Sequence, residues 1–376
     1  MKLPLDGISV LDIGTLTPGK FCTSLLADMG AQVLRIERPS ASSAEISRED
    51  LALNRNKRSL ALDLRAGAGM EILLRLAQRC DAVIESYRPG VSKRLGIDYV
   101  SLSARNPRLV YCSLSGFGQT GPLANRPGYD LLFVAQSGLL SAIAGSGRAP
   151  SVPGAYLSDA VSGITAALAI CAALVETQKT GKGRYVDLAM LDCVFALLSV
   201  SHGVLSDATG AEGDAYSSPF YGIYETADGR YLALGAIRAE SSRALCVELG
   251  RPEMAKKGFG NPQERAAAST FLSETFKRAP ASEWLSRLSA LDIEIAPVNA
   301  PHEAFADPQL VARRMAPEDF HPAAGHFKRI ATPVHFFAER SDSIPAPRVG
   351  QNSEEVLLEL GYSEAEIKRL REQSVI

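Results

Sequence analysis

The sequence predicts an α/β protein built on a parallel sheet, and three observations carry that expectation. Short apolar runs rich in Val, Ile and Leu recur as far as Ser115, helix-length amphipathic segments alternate with them, and small-residue turns separate the two. Strands that read as near-continuous apolar runs joined by helices belong to a sheet covered on both faces.

Each element follows in order. The opening GISVLDIGTLTPGKFCTSLLADMGAQVLRIERP reads as a strand, a small-residue turn, a helix closed by Gly30 and a second strand, which is a βαβ unit. A third strand is expected over Ser59 to Leu64, a helix over GAGMEILLRLAQRC, a fourth strand over Ala82 to Tyr87 and a fifth over Leu109 to Ser115. From Pro127 to about His202 the pattern is mostly helical, interrupted by the glycine-bearing segment Gly145 to Gly154 and by a strand within Arg184 to Leu191. The first domain therefore spans 1–202. Residues 203–218 turn small and polar, as a linker does. The runs FYGIYETADGRYLALGAI flank Asp228-Gly229, a strong hairpin signal, and helical patterns lead to IEIAPVNA, so 219–320 is expected to form a smaller α+β domain. The tail, 321–376, has an apolar run, a Pro-rich loop and two short helices that return to the first domain.

With 376 residues, 46% hydrophobic and 22% charged, the chain can bury a large core. Forty basic residues against 42 acidic ones leave a net charge of −2, which gives no general drive toward nucleic acid or anionic membrane. The six cysteines are scattered without a CxxC pair or a nearby histidine, so reduced thiols are expected and no metal site. The N-terminus lacks the charged and apolar regions of an export signal, and a cytoplasmic protein is expected. The apolar run Ile164 to Val175 is shorter than the ~20 residues a bilayer demands. All five histidines lie beyond residue 200, so chemistry centred in the first half must use carboxylates, hydroxyls, lysine or backbone groups.

The stretch Gly154-Ala-Tyr-Leu-Ser-Asp-Ala-Val-Ser-Gly163 places Asp159 at the start of that apolar helix. Two readings stand side by side. Ser158 or Asp159 caps the helix, or Asp159 is a nucleophile whose ionised form the helix N-terminus favours.

Basic residues cluster at strand ends: Arg38, then Arg55, Lys57 and Arg58, then Arg88, Lys93 and Arg94, with Tyr87 beside the last group. Ligands of open α/β sheets bind outside the carboxyl ends of strands, so these cations suit a phosphate-rich ligand and the tyrosine a purine. Gly116-Phe-Gly-Gln-Thr-Gly121 matches GxGxxG, yet Pro122 and a loop follow where a helix should open, which argues against a dinucleotide.

Taken in fixed order, GISVLDIG…TPG…LLADMGAQVLRIERP, LNRNKRSLALDL, AVIESYRPGVSKRLGIDY, NPRLVYCSLSGFGQTGP, RPGYD, the Asp159 segment and TGKGRYVDLAMLD resemble the family III CoA-transferases, the CaiB/BaiF family. The resemblance covers essentially the whole chain. It implies an interlocked homodimer whose large domain has a Rossmann-like sheet made from both chain ends, with a small domain between them. It also implies coenzyme A and acyl-CoA as substrates instead of a tightly bound cofactor, and a small carboxylic acid as acceptor. Asp159 falls on the catalytic aspartate, the main chain at Leu16, Thr17 and Pro18 faces the CoA, and Arg38, Lys57, Tyr87 and Arg94 surround its adenine and phosphates. Related α-methylacyl-CoA racemases carry a histidine in GHD and a glutamate in GAIEP, where this chain has Tyr129 and Arg238. Arg238 suits a second carboxylate on the substrate, so a short dicarboxylate is expected. Racemase-like proton transfer and a non-catalytic acyl-CoA-binding homologue are the alternatives.

Overall fold

The computed structural model describes residues 2–14, 16–39, 46–145, 148–202, 218–336 and 343–376. The chain divides into two compact units, Met1–Val204 with Arg313–Ile376, and Leu205–Ala312. The expected linker 203–218 lies outside the described residues except for Ser218.

The first unit begins with β1 (Ser9–Asp12), α1 (Thr17–Asp28), β2 (Gln32–Glu37), α2 (Arg48–Leu53), β3 (Lys57–Ala61), α3 (Gly67–Ala77) and β4 (Ala82–Glu85). It continues through α4 (Val91–Leu95), α5 (Tyr99–Ser103), β5 (Val110–Ser115), α6 (Asp130–Gln136), α7 (Leu139–Ala144), α8 (Leu157–Thr180), β6 (Arg184–Ala189), α9 (Met190–Leu197) and α10 (Ser199–His202). All six strands pair in parallel in the order β3-β2-β1-β4-β5-β6. The expected parallel sheet is therefore present. Its order reverses between β1 and β4, where two neighbouring strands send their connections to opposite sides.

Alternation along each strand splits the core in two. Val10, Val33 and Ile84 face α1 and α8, packing with Leu26, Ala166 and Ile170. Leu11, Leu34 and Val83 face the other way, onto Ile72 and Leu73 of α3. The C-terminal segment completes that second layer. Its helices α17 (Ser353–Glu359) and α18 (Glu364–Glu372) contribute Val356, Leu357, Ile367 and Leu370 to the same cluster. This corrects one expectation: among the described residues the sheet is made from residues 9–189, and the tail supplies covering helices, because its apolar spacing is helical. Before them, β10 (Glu318–His321) and β11 (Gly325–Lys328) form an antiparallel hairpin.

The second unit is an antiparallel sheet of β7 (Tyr221–Glu225), β8 (Tyr231–Gly235) and β9 (Ile295–Pro297) with helices α11 (Ala239–Glu248), α12 (Met254–Lys257), α13 (Pro262–Phe276) and α14 (Ala281–Ser289). The β7–β8 turn uses Gly229 at φ +72°, a left-handed conformation that glycine adopts without strain. Phe220, Leu232, Phe276 and Trp284 form its core, and the indole N–H of Trp284 donates to the Phe276 carbonyl at 2.9 Å. Two short helices, α15 (Pro301–Ala304) and α16 (Pro308–Ala312), end the unit.

Candidate active site

Helix α8 is 24 residues long, twice the apolar run from which it was anticipated, and it is apolar enough by length and composition to cross a bilayer. One face is nevertheless a core face, with Ala166, Ala167, Ile170, Ala173 and Leu174 buried against the sheet and α1. At its start, Tyr156 occupies the N-cap position and offers no side-chain cap. Neither Ser158 nor Asp159 caps the helix, which corrects the capping expectation. Ser158 is fully buried, and its Oγ has no hydrogen-bond partner among the described residues.

Asp159 sits in the first turn, half-buried, with its backbone N–H donating to Asp130 Oδ1 at 3.0 Å. One turn on, Gly163 shares the face of Asp159. A Cβ at Gly163 would lie 2.9 Å from the Pro18 carbonyl oxygen and 3.0 Å from Phe21 Cδ1. Glycine here lets the first turn of α1 lie directly on α8, which brings the main chain of Leu16, Thr17 and Pro18 to the side of the helix that carries Asp159. Leu16 is the exposed N-cap of α1, Thr17 is half-buried and Pro18 is buried in its first turn.

Burial pushes the Asp159 carboxyl up to about 6, and the neighbouring charges of Asp130 and Glu49 add to the effect. The helix N-terminus favours the ionised form, while burial and the two like charges oppose it. At pH 7 the carboxylate still exceeds the acid about tenfold.

The crevice at the strand-order reversal is formed by the ends of β1 and β4. An added Cβ at Gly14 would lie 3.2 Å from Ser86 Oγ and 3.3 Å from Asp12 Oδ1, so the two strand ends approach closely there. Tyr87 follows β4, half-buried against the sheet, and its backbone N–H donates to the buried Glu85 Oε2 at 2.7 Å. Arg38, exposed after β2, is near enough for its charge to act on the Tyr87 phenol, while burial raises that group overall. Arg94 is exposed in α4, the helix that follows Tyr87. Arg38, Tyr87 and Arg94 all lie at the carboxyl-end side of the sheet.

Lys57 does not face that crevice. Its side chain is fully buried and its Nζ donates to the Lys20 carbonyl at 2.9 Å, Thr23 Oγ1 at 2.7 Å and Asn54 Oδ1 at 3.2 Å, with Asp12 Oδ2 3.8 Å away. An ammonium has three protons, and all three are taken, so none is left for a phosphate. Burial lowers Lys57 to about 7 against the opposing pull of Asp12. Its neighbours are engaged as well: Arg55 pairs with Asp28, and Arg58 with Glu355 and Glu359 of α17. In this structure the cluster is engaged with groups of the fold itself.

Tyr129 is the N-cap of α6 and 83% exposed, immediately before Asp130. Arg238 belongs to the second unit, where it is the N-cap of α11 and its Nε donates to Glu294. Gly116 to Gly121 opens no helix; a loop runs from β5 to α6. Among the described residues no group of three or more His, Cys, Asp or Glu side chains is disposed to hold a metal ion. Sequence reasoning overlooked Asp130, Glu49 and Lys20. The Ser47-Arg-Glu-Asp50 cap signature, which the structure realises with Asp50 N–H donating to Ser47 Oγ at 3.0 Å, was the available signal for the helix that carries Glu49.

The family described as CoA-transferase family III matches residues 5–353. Succinyl-CoA:glutarate CoA-transferase of Homo sapiens is 31% identical over 99% of this chain and 90% of that protein. The human alpha-methylacyl-CoA racemase is 34% identical over 100% of this chain and 98% of that protein. Among solved structures, a CAIB/BAIF family protein from Brucella suis superimposes with a TM-score of 0.80 at 29% identity, covering 96% of this chain and 100% of the other.

Proposed function

Because the chain belongs to CoA-transferase family III, we propose that it moves coenzyme A from an acyl-CoA to a small carboxylic acid through covalent intermediates on Asp159. The observation that carries this reading is the half-buried Asp159 carboxylate on α8, set against the first-turn backbone of α1. Desolvation removes the water shell that would blunt a carboxylate nucleophile, and a midpoint of about 6 leaves it ionised at neutral pH.

In the first step an Asp159 oxygen attacks the thioester carbonyl, the C–S bond breaks, and CoA leaves as thiolate with an aspartyl anhydride remaining. The thiolate then attacks the aspartyl carbonyl, releases the donor acid as carboxylate and leaves an aspartyl-CoA thioester. The acceptor carboxylate repeats both exchanges in reverse, and Asp159 is regenerated. No net proton transfer is required, which suits a site whose acting charges are carboxylates. The main chain of Leu16 to Pro18, with Arg38, Tyr87 and Arg94, is the proposed CoA surface.

A second copy of the chain is part of this proposal. Ile164, Leu168 and Val175 leave an exposed apolar stripe along α8, and Tyr129, Leu132 and Phe195 expose more apolar surface on α6 and α9. Surfaces of that kind mark interfaces, in keeping with a homodimer. For the acceptor, a short dicarboxylate is proposed, with Arg238 as its partner. If so, Arg238→Ala should lower kcat/KM for dicarboxylic acceptors at least tenfold more than for monocarboxylic ones; equal losses would remove that role.

Proton exchange at the α-carbon is the second reading, favoured by the 34% identity to the human racemase. Tyr129 weighs against it, since it stands where the racemases carry a histidine base. A panel of acyl-CoA donors and short acids, run in heavy water, separates the two: CoA exchange without α-deuteration supports transfer, and rapid deuteration without exchange contradicts it.

A further inference from the structure

Helix α2 has six residues, none of them fully buried, and charge ties its first turn to α1. Lys20 Nζ of α1 lies 2.9 Å from Glu49 Oε1 and 2.9 Å from Asp50 Oδ1, and its side chain is only 14% exposed. Asp50 Oδ1 also accepts from Asn54 Nδ2 at 2.7 Å and lies 3.7 Å from Arg35 Nη1. Burial alone would lower the Lys20 ammonium, yet its bonds to the two carboxylates hold it above the ordinary lysine value. Three residues before Lys20, Thr17 Oγ1 donates to the same Glu49 oxygen at 3.5 Å.

Glu49 is also one of the two carboxylates whose charge acts on Asp159; the other is Asp130, from α6. The charges that act on the nucleophile are therefore Glu49 on α2 and Asp130 on α6. Of these two, Glu49 is paired with the Lys20 ammonium.

We propose that Lys20 is a positioning residue for Asp159: its ammonium clamps the acidic first turn of α2 onto α1 and neutralises Glu49 where that carboxylate acts on the nucleophile. Without the ammonium, the Asp50 ion pair with Arg35 of β2 remains as a tie between α2 and the sheet. Glu49 then stands uncompensated near Asp159 and favours the protonated acid, which cannot attack a thioester.

The inference rests on Asp159 being the nucleophile, and the readouts keep the two claims apart. The Asp159 carboxyl carbon is followed by NMR through a pH titration of full-length protein, assigned by its loss in Asp159→Asn, and the pH profile of CoA transfer is recorded in parallel. Lys20→Met should raise the Asp159 midpoint by about half a pH unit or more and move the acid limb of kcat/KM with it. Lys20→Arg should restore both, and adding Glu49→Gln to Lys20→Met should bring the midpoint back down. An unmoved or lowered midpoint in Lys20→Met overturns the proposal, as does an upward shift that survives Glu49→Gln. A midpoint that moves while the acid limb stays supports the clamp and instead removes Asp159 from the nucleophile's role.

Discussion

Asp159 and Lys57 show how far a residue's chemistry depends on what the fold brings beside it. Both titrate far from their ordinary values, and burial is the first cause in each. For Asp159 the sign is informative. A folded-state midpoint of about 6, above the ordinary 3.8, means that the folded protein holds a proton the unfolded chain has already released. That contribution to stability is complete below pH 3.8 and is lost as pH rises through 6. At neutral pH the site therefore carries an ionised group at a cost. Asp159→Asn should raise stability at pH 7 by roughly 1 kcal/mol once solvent screening is allowed for, read as a higher denaturant midpoint, while transfer is lost. With the native residue, kcat/KM should fall below an acid limb near pH 6. The motif around Asp159 was legible because its residues are contiguous. The burial of Lys57 was not, because it depends on Asp12, Thr23 and Asn54, and only Asn54 is close in the chain.

At the scale of elements, the site is two helix beginnings pressed together. The contact of α1 with α8 depends on Gly163, since any Cβ there meets the Pro18 carbonyl. Gly163→Ala should cost about 1–3 kcal/mol of stability through overpacking and weaken CoA binding, because relief of the clash moves Leu16 to Pro18. Calorimetry with CoA and a denaturant titration would read the two effects separately. The helical period of α8 was plain in the sequence, but a uniformly apolar helix does not announce which face the fold leaves open. Ile164, Leu168 and Val175 are as hydrophobic as their buried neighbours Ile170 and Leu174. If they meet a second copy, Leu168→Glu should shift the protein from dimer to monomer in sedimentation velocity. A wild-type monomer, or an unaffected dimer, would exclude this face as the interface.

Across the whole molecule, the parallel sheet was readable because its inner strands are short buried runs between helices, as with Ala82–Glu85 and Val110–Ser115, every residue of which is buried. Strand order was not: nothing local states that β1 lies between β2 and β4. The return of the chain end was legible as amphipathic helices, but not the role of Arg58, which reaches about 300 residues ahead to Glu355 and Glu359. Together these features place the Asp159 helix, the α1 turn and the loop after β4 in one unit, as the proposed acyl transfer demands. The central claim is that Asp159 becomes covalently acylated, and trapping tests it most directly. Full-length protein mixed with succinyl-CoA is quenched with hydroxylamine, digested and analysed by peptide mass spectrometry. The expected result is a hydroxamate on the peptide carrying Asp159, absent without the acyl-CoA and absent in Asp159→Asn. An unmodified Asp159 in protein that is exchanging CoA, or a hydroxamate on another residue, would contradict the claim.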